Sequence, residues 1–258
     1  FDFVPKKFLY DMRIELENYS NILQGGNKRI LVDLFLKDKK NSKYVLNQIS
    51  FNPKDIEDEV LEFIKPNCIY IAKPVSGSSG KNISIITSKK KFLSKINEFK
   101  ESYFRRDKNI KDKKNWVLQD YMLDPLLYEK KKFHIRVHVI VTIDNNSFLS
   151  KEFFIIPADK NYKKSDFDNK EIHDTHGGTV FNPKLLAIRD DFYGSLTEEN
   201  YKKIKKQIIK ISKLFIQKIK IECYDNVKSC FQIFGLDIMF KKDYEPILIE
   251  ANISPGII

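Results

Sequence analysis

Two apolar runs on either side of a short polar segment, close to the end of the chain, predict a β-hairpin. In the first run, Leu236 and Ile238 lie on either side of Asp237, the alternation expected of a strand. Residues 241–246 are polar and predict the turn, and the return strand is expected over 247–252.

Two carboxylates in this hairpin predict a magnesium site. Asp237 lies in the middle of the first strand and Glu250 near the end of the second, with Asn252 on the same face as Glu250. An unpaired carboxylate in such an apolar setting costs several kcal/mol. Mg²⁺ binds hard oxygen ligands together with substrate phosphates, so these three residues are candidate ligands. The alternative is a pair of strand-end acids bonded to lysines or backbone amides.

Length and charge limit the kinds of protein that the chain can be. Its 258 residues can bury one sizeable core or form two lobes of a single catalytic unit. The net charge of +11 is compatible with an acidic partner, either nucleic acid or an acidic peptide, and a coding bias toward lysine is the alternative source of the charge. No nucleic-acid motif accompanies the charge, so an acidic peptide is not disfavoured. No signal peptide or membrane-spanning run is evident. The first residue, Phe1, and the final Pro-Gly-Ile-Ile suggest that both ends were cut from a longer protein.

The cysteines carry no metal-binding pattern. They are odd in number and widely spaced, which fits a reducing compartment and predicts small buried apolar residues. They are Cys68, Cys223 and Cys230.

A glycine- and serine-rich loop predicts a phosphate contact. Strands are expected over 68–74 and 82–86, and the loop 75–81 between them can fold over phosphates with its backbone N–H groups. It is not a P-loop, because no helix opens after it with Lys-Ser or Lys-Thr. Lys73 would point toward whatever the loop covers. An ordinary hairpin with a solvated lysine is the alternative.

Several further elements follow from periodicity and capping. Asn52-Pro53 predicts a helix start that runs to Pro66, and Ser195 with Glu198 predicts a capping box for a helix reaching about Ile221. Helices are also expected over 27–36 and 89–104, and strands over 43–47 and 148–157.

The strand predicted over 116–122 leads into a Leu-Asp-Pro-Leu-Leu connection, which suggests a hinge between two lobes. An adenine ring could bond to the backbone of such a hinge while Met122 packs on its face.

The segment 132–141 alternates strictly and predicts a strand with one basic face. One face carries Phe133, Ile135, Val137 and Val139, and the other carries Lys132, His134, Arg136, His138 and Ile140. This second face is either solvated or lines a polyanion site, and the second interpretation is slightly favoured because Arg136 and Lys132 project together.

The polar segment 172–180 carries His173 and His176 three residues apart. No third zinc ligand is evident, so a phosphate or substrate contact is a better functional hypothesis than zinc, and a plain loop is the alternative.

Four blocks in this order resemble the tubulin–tyrosine ligase-like family, a branch of the ATP-grasp ligases, over about residues 43–256. They are Ile71-Ala-Lys-Pro74 with its glycine loop, Leu118-Gln-Asp-Tyr-Met-Leu-Asp-Pro-Leu126, Lys132-Phe-His-Ile-Arg136, and 234–239 (Phe-Gly-Leu-Asp-Ile-Met) with 249–255 (Ile-Glu-Ala-Asn-Ile-Ser-Pro). The resemblance implies an α+β fold of the ATP-grasp type, with ATP between two lobes. We expect an N-terminal segment over 1–42, an N-lobe over 43–124 and a C-lobe over 125–258.

The resemblance also implies roles for individual residues. Lys73 would contact nucleotide phosphates beneath the loop, Lys132 would lie in the nucleotide pocket, and Arg136 would contact the γ-phosphate and the reacting carboxylate. Further contacts to ATP are expected from Ser76, Gly77, Gly80, Gln119, Asp120, Tyr121, Met122, His134, His173 and Thr175, with Gln119, Tyr121 and Met122 holding adenine. Mg²⁺ would be held by Asp237, Glu250 and Asn252.

The implied reaction joins an amino acid (tyrosine, glutamate or glycine) to a carboxylate of tubulin or a similar acidic tail. ATP first converts that carboxylate to an acyl phosphate, which the amine then displaces. A monomer in the cytoplasm, associated with the cytoskeleton and binding neither nucleic acid nor membrane, is expected.

Three departures from the family pattern leave alternatives open. His134 stands where the family usually has aspartate, His176 where it has the asparagine of His-x-Thr-Asn, and 153–157 lacks the usual arginine. A non-catalytic relative that binds tubulin or microtubules, or a ligase with a different substrate, therefore competes with the active tubulin ligase.

Overall fold

A computed structural model describes residues 2–4, 20–21, 28–75, 82–104, 114–144, 146–175, 186–188, 196–219, 222–223, 231–253 and 255. These residues form a mixed α+β structure, the class that the family resemblance implied, and their strands pair almost entirely antiparallel. None of the helices in these residues is long and apolar enough to cross a membrane.

The secondary structure of the described residues alternates short strands with a few longer elements. The strands are β1 (Asp2–Val4), β2 (Ser20–Asn21), β3 (Gln48–Phe51), β4 (Tyr70–Pro74), β5 (Ser84–Ile86), β6 (Trp116–Asp120), β7 (Leu127–Tyr128), β8 (Lys131–Thr142), β9 (Ser147–Ser150), β10 (Phe153–Pro157), β11 (Leu186–Ile188), β12 (Glu222–Cys223), β13 (Phe231–Phe240) and β14 (Pro246–Asn252). The helices are α1 (Lys28–Leu36), α2 (Asp58–Phe63), α3 (Lys89–Phe104), α4 (Lys170–His173) and α5 (Glu198–Ile216), with a 3₁₀ helix at Ser42–Tyr44.

The large sheet is built around β8, which pairs antiparallel with β7, β9, β10 and β13. β14 pairs with β13 at its edge, so the hairpin predicted from the sequence is confirmed. The alternation along β8 sends Phe133, Ile135, Val137 and Val139 into a core that α1 and α5 cover. The predicted apolar stripe of α5 is buried in the same core and consists of Tyr201, Ile204, Ile208, Ile211 and Phe215.

A smaller sheet has the strand order β3-β6-β4-β5. Helices α2 and α3 cover one of its faces, where Phe51, Phe92, Phe99 and Trp116 pack with ring centroids 4.3 to 6.3 Å apart. Because side chains alternate along a strand, the polar side chains of Lys73 on β4 and Gln119 on β6 lie on the opposite face of the sheet from this core.

Two predicted element starts in the N-terminal half are wrong. Residues 43–47 do not form a strand, because Ser42–Tyr44 is a 3₁₀ helix and the strand begins at Gln48. The helix predicted from Asn52 begins at Asp58 instead. Asn52 Oδ1 accepts from the Lys54 amide at 3.1 Å, so it closes a local turn rather than capping a helix.

Three further expectations are corrected in the same way. Thr197, rather than Ser195, caps α5, because its hydroxyl oxygen accepts from the Asn200 amide at 3.2 Å, and the helix ends at Ile216. The strand predicted over 148–157 is divided into β9 and β10 by a bend at which the Glu152 amide bonds to the Ser150 hydroxyl. Cys68 is exposed rather than buried, and the other two cysteines have no described side chains.

Candidate functional site

A cavity of about 410 Å³ lies between the polar face of the small sheet and the large sheet. Strands β4, β5, β8, β13 and β14 and helices α1, α3 and α4 all contribute to its wall. The polar side chains around it are Lys28, Lys73, Asn82, Ser84, Lys91, Lys95, Glu98, Lys132, Asp168, Lys170, His173, Asp174, Thr175 and Glu250. Its six lysines outnumber its four acids, so the wall carries net positive charge.

Lys73 reaches this cavity because of the alternation along β4. Tyr70 and Ala72 enter the core of the small sheet, so Ile71 and Lys73 face the cavity. The Lys73 ammonium is buried and donates to Gln119 Oε1 at 2.9 Å. Burial lowers the pKa of Lys73 to about 8, against smaller opposing contributions from Glu250 and Asp237.

Lys132 is buried on the opposite wall, near the start of β8. Its ammonium donates to Tyr121 Oη at 2.9 Å and lies 4.1 Å from the centroid of the Tyr121 ring. Burial is the main cause that lowers the pKa of Lys132 to about 7, while Asp174 raises it and Lys73 lowers it further. From the sequence, the basic face of β8 is either solvated or lines a polyanion site. Lys132 on this face is buried rather than solvated.

Both buried lysines have neutral partners. In the described part of the chain, neither Lys73 nor Lys132 has a carboxylate oxygen within 4.0 Å. A buried cation without a counter-charge is costly, so this arrangement favours an anionic ligand in the cavity.

His173, at the end of α4, connects to Lys132 through Tyr121. His173 Nδ1 lies 2.8 Å from Tyr121 Oη, and His173 Nε2 lies 3.3 Å from the carbonyl oxygen of Ser165. Both ring nitrogens therefore have protein partners. Burial, followed by the charge of Lys132, lowers the pKa of His173, which keeps the imidazole neutral at pH 7.

Three predicted site residues form a row across adjacent strands of the large sheet. Asp237 on β13 is directly opposite Arg136 on β8 and Glu250 on β14. Arg136 Nε and Nη2 each lie 2.7 Å from one oxygen of the buried Asp237 carboxylate. Glu250 pairs with Lys28 of α1 at 3.3 Å. The nearby Asp237 carboxylate raises the pKa of Arg136 against the effect of burial.

The predicted magnesium ligands are brought together by the same register. Asn252 Nδ2 donates to Asp237 Oδ2 at 3.3 Å, and Glu250 faces Asp237 across the β13–β14 pair. Among the described residues, no group of three or more His, Cys, Asp or Glu side chains is placed so that it could hold a metal ion by itself. Two carboxylates and one amide oxygen nevertheless fit Mg²⁺, which takes few protein ligands and completes its shell with water and phosphate.

His134, one of the departures from the family pattern, is buried between the two walls of the site. Its Nδ1 lies 2.6 Å from Thr175 Oγ1, and its Nε2 lies 3.7 Å from Asp237 Oδ1. Across the sheet, His134 is paired with Ile156 of β10, in the segment where the expected arginine is missing. Two of the departures are therefore cross-strand neighbours.

The predicted adenine-binding residues do not all reach this cavity. The amides of Asp120 and Tyr121 donate to the carbonyls of Asn47 and Ile69 at 2.9 Å, so these two amides have protein partners. Met122 packs with Met239 and Ile247. Asp120, Tyr121 and Met122 line a second, more open cavity of about 650 Å³ instead. Gln119 is buried and bonds to Lys73, as described above.

Four predicted residues lie outside the described part of the chain. They are Ser76, Gly77, Gly80 and His176.

Some residues that line the cavity were not predicted from the sequence. Lys91, Lys95 and Glu98 are among them, and their i, i+4, i+7 spacing on α3 is a signal that could have indicated one shared face. Lys28 had no such signal, because its contact with Glu250 depends entirely on tertiary packing.

The sequence matches the model of the "Tubulin-tyrosine ligase family" over residues 12–176 and 187–258. The chain therefore belongs to this family, and the resemblance noted from its motifs is confirmed.

Individual relatives share the family membership at modest identity. A Caenorhabditis elegans protein named "Probable tubulin polyglutamylase" is 28% identical over 238 residues, which cover 84% of this chain and 52% of that protein. A Tetrahymena thermophila "Probable alpha-tubulin polyglutamylase" is 27% identical, covering 96% of this chain and 67% of the relative. A Schizosaccharomyces pombe "Probable tubulin--tyrosine ligase" is 30% identical over 151 residues, covering 55% of this chain and 36% of the relative. The chain thus spans about half the length of the C. elegans relative.

Proposed function

We propose that this chain carries the catalytic site of an ATP-dependent ligase that joins an amino acid to a carboxylate of tubulin or a similar acidic protein tail. The pair of buried lysines with neutral partners, Lys73 and Lys132, is the observation that carries the proposal. A triphosphate supplies the negative charge that these ammonium groups lack, and its binding favours their charged forms.

The proposed reaction has two steps. The acceptor carboxylate attacks the γ-phosphate of ATP, giving an acyl phosphate and ADP. The α-amine of the incoming amino acid then attacks the acyl carbon, forming an amide bond and releasing inorganic phosphate.

The residues of this chain have distinct roles in that scheme. Lys73 and Lys132 bind phosphate oxygens, and Arg136 orients the acceptor carboxylate toward them. Mg²⁺ held by Asp237, Glu250 and Asn252 would supply positive charge that neutralises the transferring phosphoryl group. A cationic surface steers an acidic tail toward the site, which fits the relatives named for tubulin modification. Tubulin as acceptor would place the enzyme at the cytoskeleton.

Incorporation of labelled amino acid into tubulin tests the proposal directly. Purified chain, tubulin and Mg-ATP are incubated with radiolabelled glutamate, glycine or tyrosine, and label in tubulin is measured together with ADP release. We expect incorporation of one of the three. Lys73→Met and Lys132→Met should reduce ADP affinity about 100-fold or more, because each removes a buried charge from the phosphate site.

Lys203→Met is the matched control, since Lys203 is an exposed lysine paired with Glu199 on α5. It should leave ADP affinity unchanged. Absence of ADP binding to the wild-type chain would overturn the nucleotide site. ADP binding without incorporation of any of the three amino acids would leave a nucleotide site with another substrate, and ADP release with other carboxylates would then identify it.

A non-catalytic tubulin-binding role is the second candidate. The Arg136 guanidinium engages both oxygens of Asp237, and His134 stands at a position usually occupied by aspartate in the family. For this role, we expect co-sedimentation with microtubules that does not depend on ATP and that Asp237→Asn does not change. A loss of label incorporation in Asp237→Asn with unchanged co-sedimentation would instead support catalysis.

A further inference from the structure

A directional chain of hydrogen bonds starts at the Lys132 ammonium. An ammonium only donates, so the hydroxyl oxygen of Tyr121 accepts from Lys132 at 2.9 Å. The Tyr121 proton is then directed to Nδ1 of His173 at 2.8 Å. His173 Nε2–H donates in turn to the carbonyl oxygen of Ser165 at 3.3 Å. When His173 is neutral, each hydrogen bond of this chain joins one donor to one acceptor.

Aromatic packing fixes the rings that form this chain. Phe167 stacks on His173 with a centroid distance of 5.3 Å and meets Tyr121 edge-on at 6.2 Å. Tyr162 meets His173 edge-on at 5.8 Å. Such contacts hold Tyr121 and His173 in one orientation, so the hydroxyl that accepts from Lys132 has little freedom to turn away.

The same contacts leave Lys132, and not its partners, available to a ligand. Both nitrogens of His173 and the hydroxyl of Tyr121 are engaged with each other or with Ser165, and the Tyr162 hydroxyl is a further hydrogen-bond partner of the Tyr121 hydroxyl. The Lys132 ammonium has three donors and, within the described residues, only the Tyr121 hydroxyl as a hydrogen-bond partner.

We propose that the side chains of Tyr121 and His173 are positioning residues that favour the charged form of Lys132 and aim its ammonium into the cavity, and that neither side chain forms a hydrogen bond to the bound ligand. This assignment rests on the proposed function for the identity of that ligand, a nucleotide polyphosphate. It differs from the direct nucleotide contacts that the family resemblance implies for these two side chains.

The charge of Lys132 depends on every group that faces it. Burial and Lys73 of β4 oppose the charged form, while Asp174 after α4 favours it, and neutral His173 adds no charge. A hydrogen bond from the ammonium to Tyr121 Oη stabilises the charged form as well. Removal of this hydroxyl should therefore lower the pKa of Lys132 still further.

The titration of Lys132 tests the assignment without any ligand. The chain is labelled with ¹³C at lysine Cε, its NMR signals are followed from about pH 5 to about pH 9.5, and Lys132→Met identifies the signal. Tyr121→Phe should lower the midpoint of the Lys132 titration by about one pH unit, because it removes a hydrogen bond to a charged group. An unchanged midpoint would overturn the proposal.

Tyr70→Phe is the matched control for loss of a buried hydroxyl. Tyr70 lies on β4, donates to the Phe63 carbonyl at 2.9 Å and accepts from the Lys65 amide at 3.0 Å on the core side of the small sheet. It should destabilise the fold comparably and leave the Lys132 midpoint in place. A shift of the same size in Tyr70→Phe would mean that the effect is general loosening, which overturns the positioning role.

Affinity for ADP with MgCl₂, measured by calorimetry at pH 6 and pH 8, gives the second readout. Tyr121→Phe should weaken binding about tenfold at pH 8 and less than about twofold at pH 6, since Lys132 is largely protonated at the lower pH. His173→Asn keeps an acceptor near the position of Nδ1 and should restore most of the affinity that His173→Leu loses. Equal losses at both pH values would indicate a merely structural role and overturn the proposal.

The two readouts separate this proposal from the proposed function. A shifted Lys132 titration in a chain that binds no ADP would support the positioning role of Tyr121 and overturn the nucleotide site. ADP binding that Lys132→Met abolishes and Tyr121→Phe leaves unchanged at both pH values would support the nucleotide site and overturn the positioning role.

Discussion

The charged side chains on the two sides of the candidate site have different kinds of partner. On one side, Lys73 and Lys132 are buried beside neutral oxygens of Gln119 and Tyr121. On the other side, in the row across β8, β13 and β14, Arg136 forms an ion pair with Asp237. Glu250, at the end of this row, forms an ion pair with Lys28 of α1. Within the residues that the structure describes, the two lysines of the first side have no carboxylate in contact, whereas the second side contains opposite charges in contact.

Under the proposed function, this difference predicts a different ligand for each side. A phosphate group adds the charge that the lysines lack, so its binding relieves an unfavourable burial. A divalent cation bound at Asp237 must compete with the Arg136 guanidinium for the same two oxygens. The metal would therefore bind best when an anion is present to draw Arg136 away, which links the two sides.

The largest expected effect comes from breaking the paired row. Arg136→Gln leaves the Asp237 carboxylate buried without its bidentate partner, and we expect the free energy of unfolding to fall by about 3–5 kcal/mol in urea denaturation. Lys203→Gln, which breaks an exposed pair with Glu199, should cost about 0–1 kcal/mol. A loss below about 1 kcal/mol for Arg136→Gln would show that the row is not held by this pair.

The unpaired lysines should give the ligand-free protein an unusual pH dependence. The pKa values of Lys73, about 8, and of Lys132, about 7, lie below the ordinary value of 10.5, so between pH 7 and pH 9 the unfolded chain binds more protons than the folded one. Stability therefore rises with pH in this window, by up to about 4 kcal/mol between pH 7 and pH 9.

Urea denaturation of the ligand-free chain at pH 7, 8 and 9 measures this dependence. Lys132→Met should remove more than half of the rise, because Lys132 has the lower pKa of the two lysines. Affinity for ADP should fall over the same window, so stability and binding change in opposite directions. A wild-type stability that is flat or falls between pH 7 and pH 9 would contradict the contrast between the two sides.

Local periodicity made much of the fold predictable. The strict alternation from Lys132 to Val141 gave both faces of β8, and the apolar spacing of α3 gave bounds that match the structure. The final hairpin followed from the same kind of pattern. In each case the signal lies within a few residues of chain, where the hydrophobic period of two or 3.6 decides the outcome.

Most of what was not predictable depends on contacts between distant residues. The helix start is the exception, because Asn52 closes a local turn that sequence rules rank equally with a helix cap. The pairing of Arg136 with Asp237 follows from the register of β8 against β13, across 101 residues. The hydrogen bond from the Tyr121 amide to the Ile69 carbonyl is likewise a tertiary contact that the local sequence does not indicate.

The smallest expected effect concerns the outer end of the paired row. A double-mutant cycle of Lys28→Gln and Glu250→Gln measures the coupling between these side chains, which are 13% and 14% exposed. We expect about 1 kcal/mol, more than the roughly 0.5 kcal/mol expected from the same cycle at the exposed pair of Lys203 and Glu199. Partial burial reduces screening by water and makes the Lys28 pair stronger. If instead the two cycles give equal values, then the Lys28–Glu250 pair is no stronger than an exposed pair, and the Glu250 carboxylate is available to a cation in the cavity.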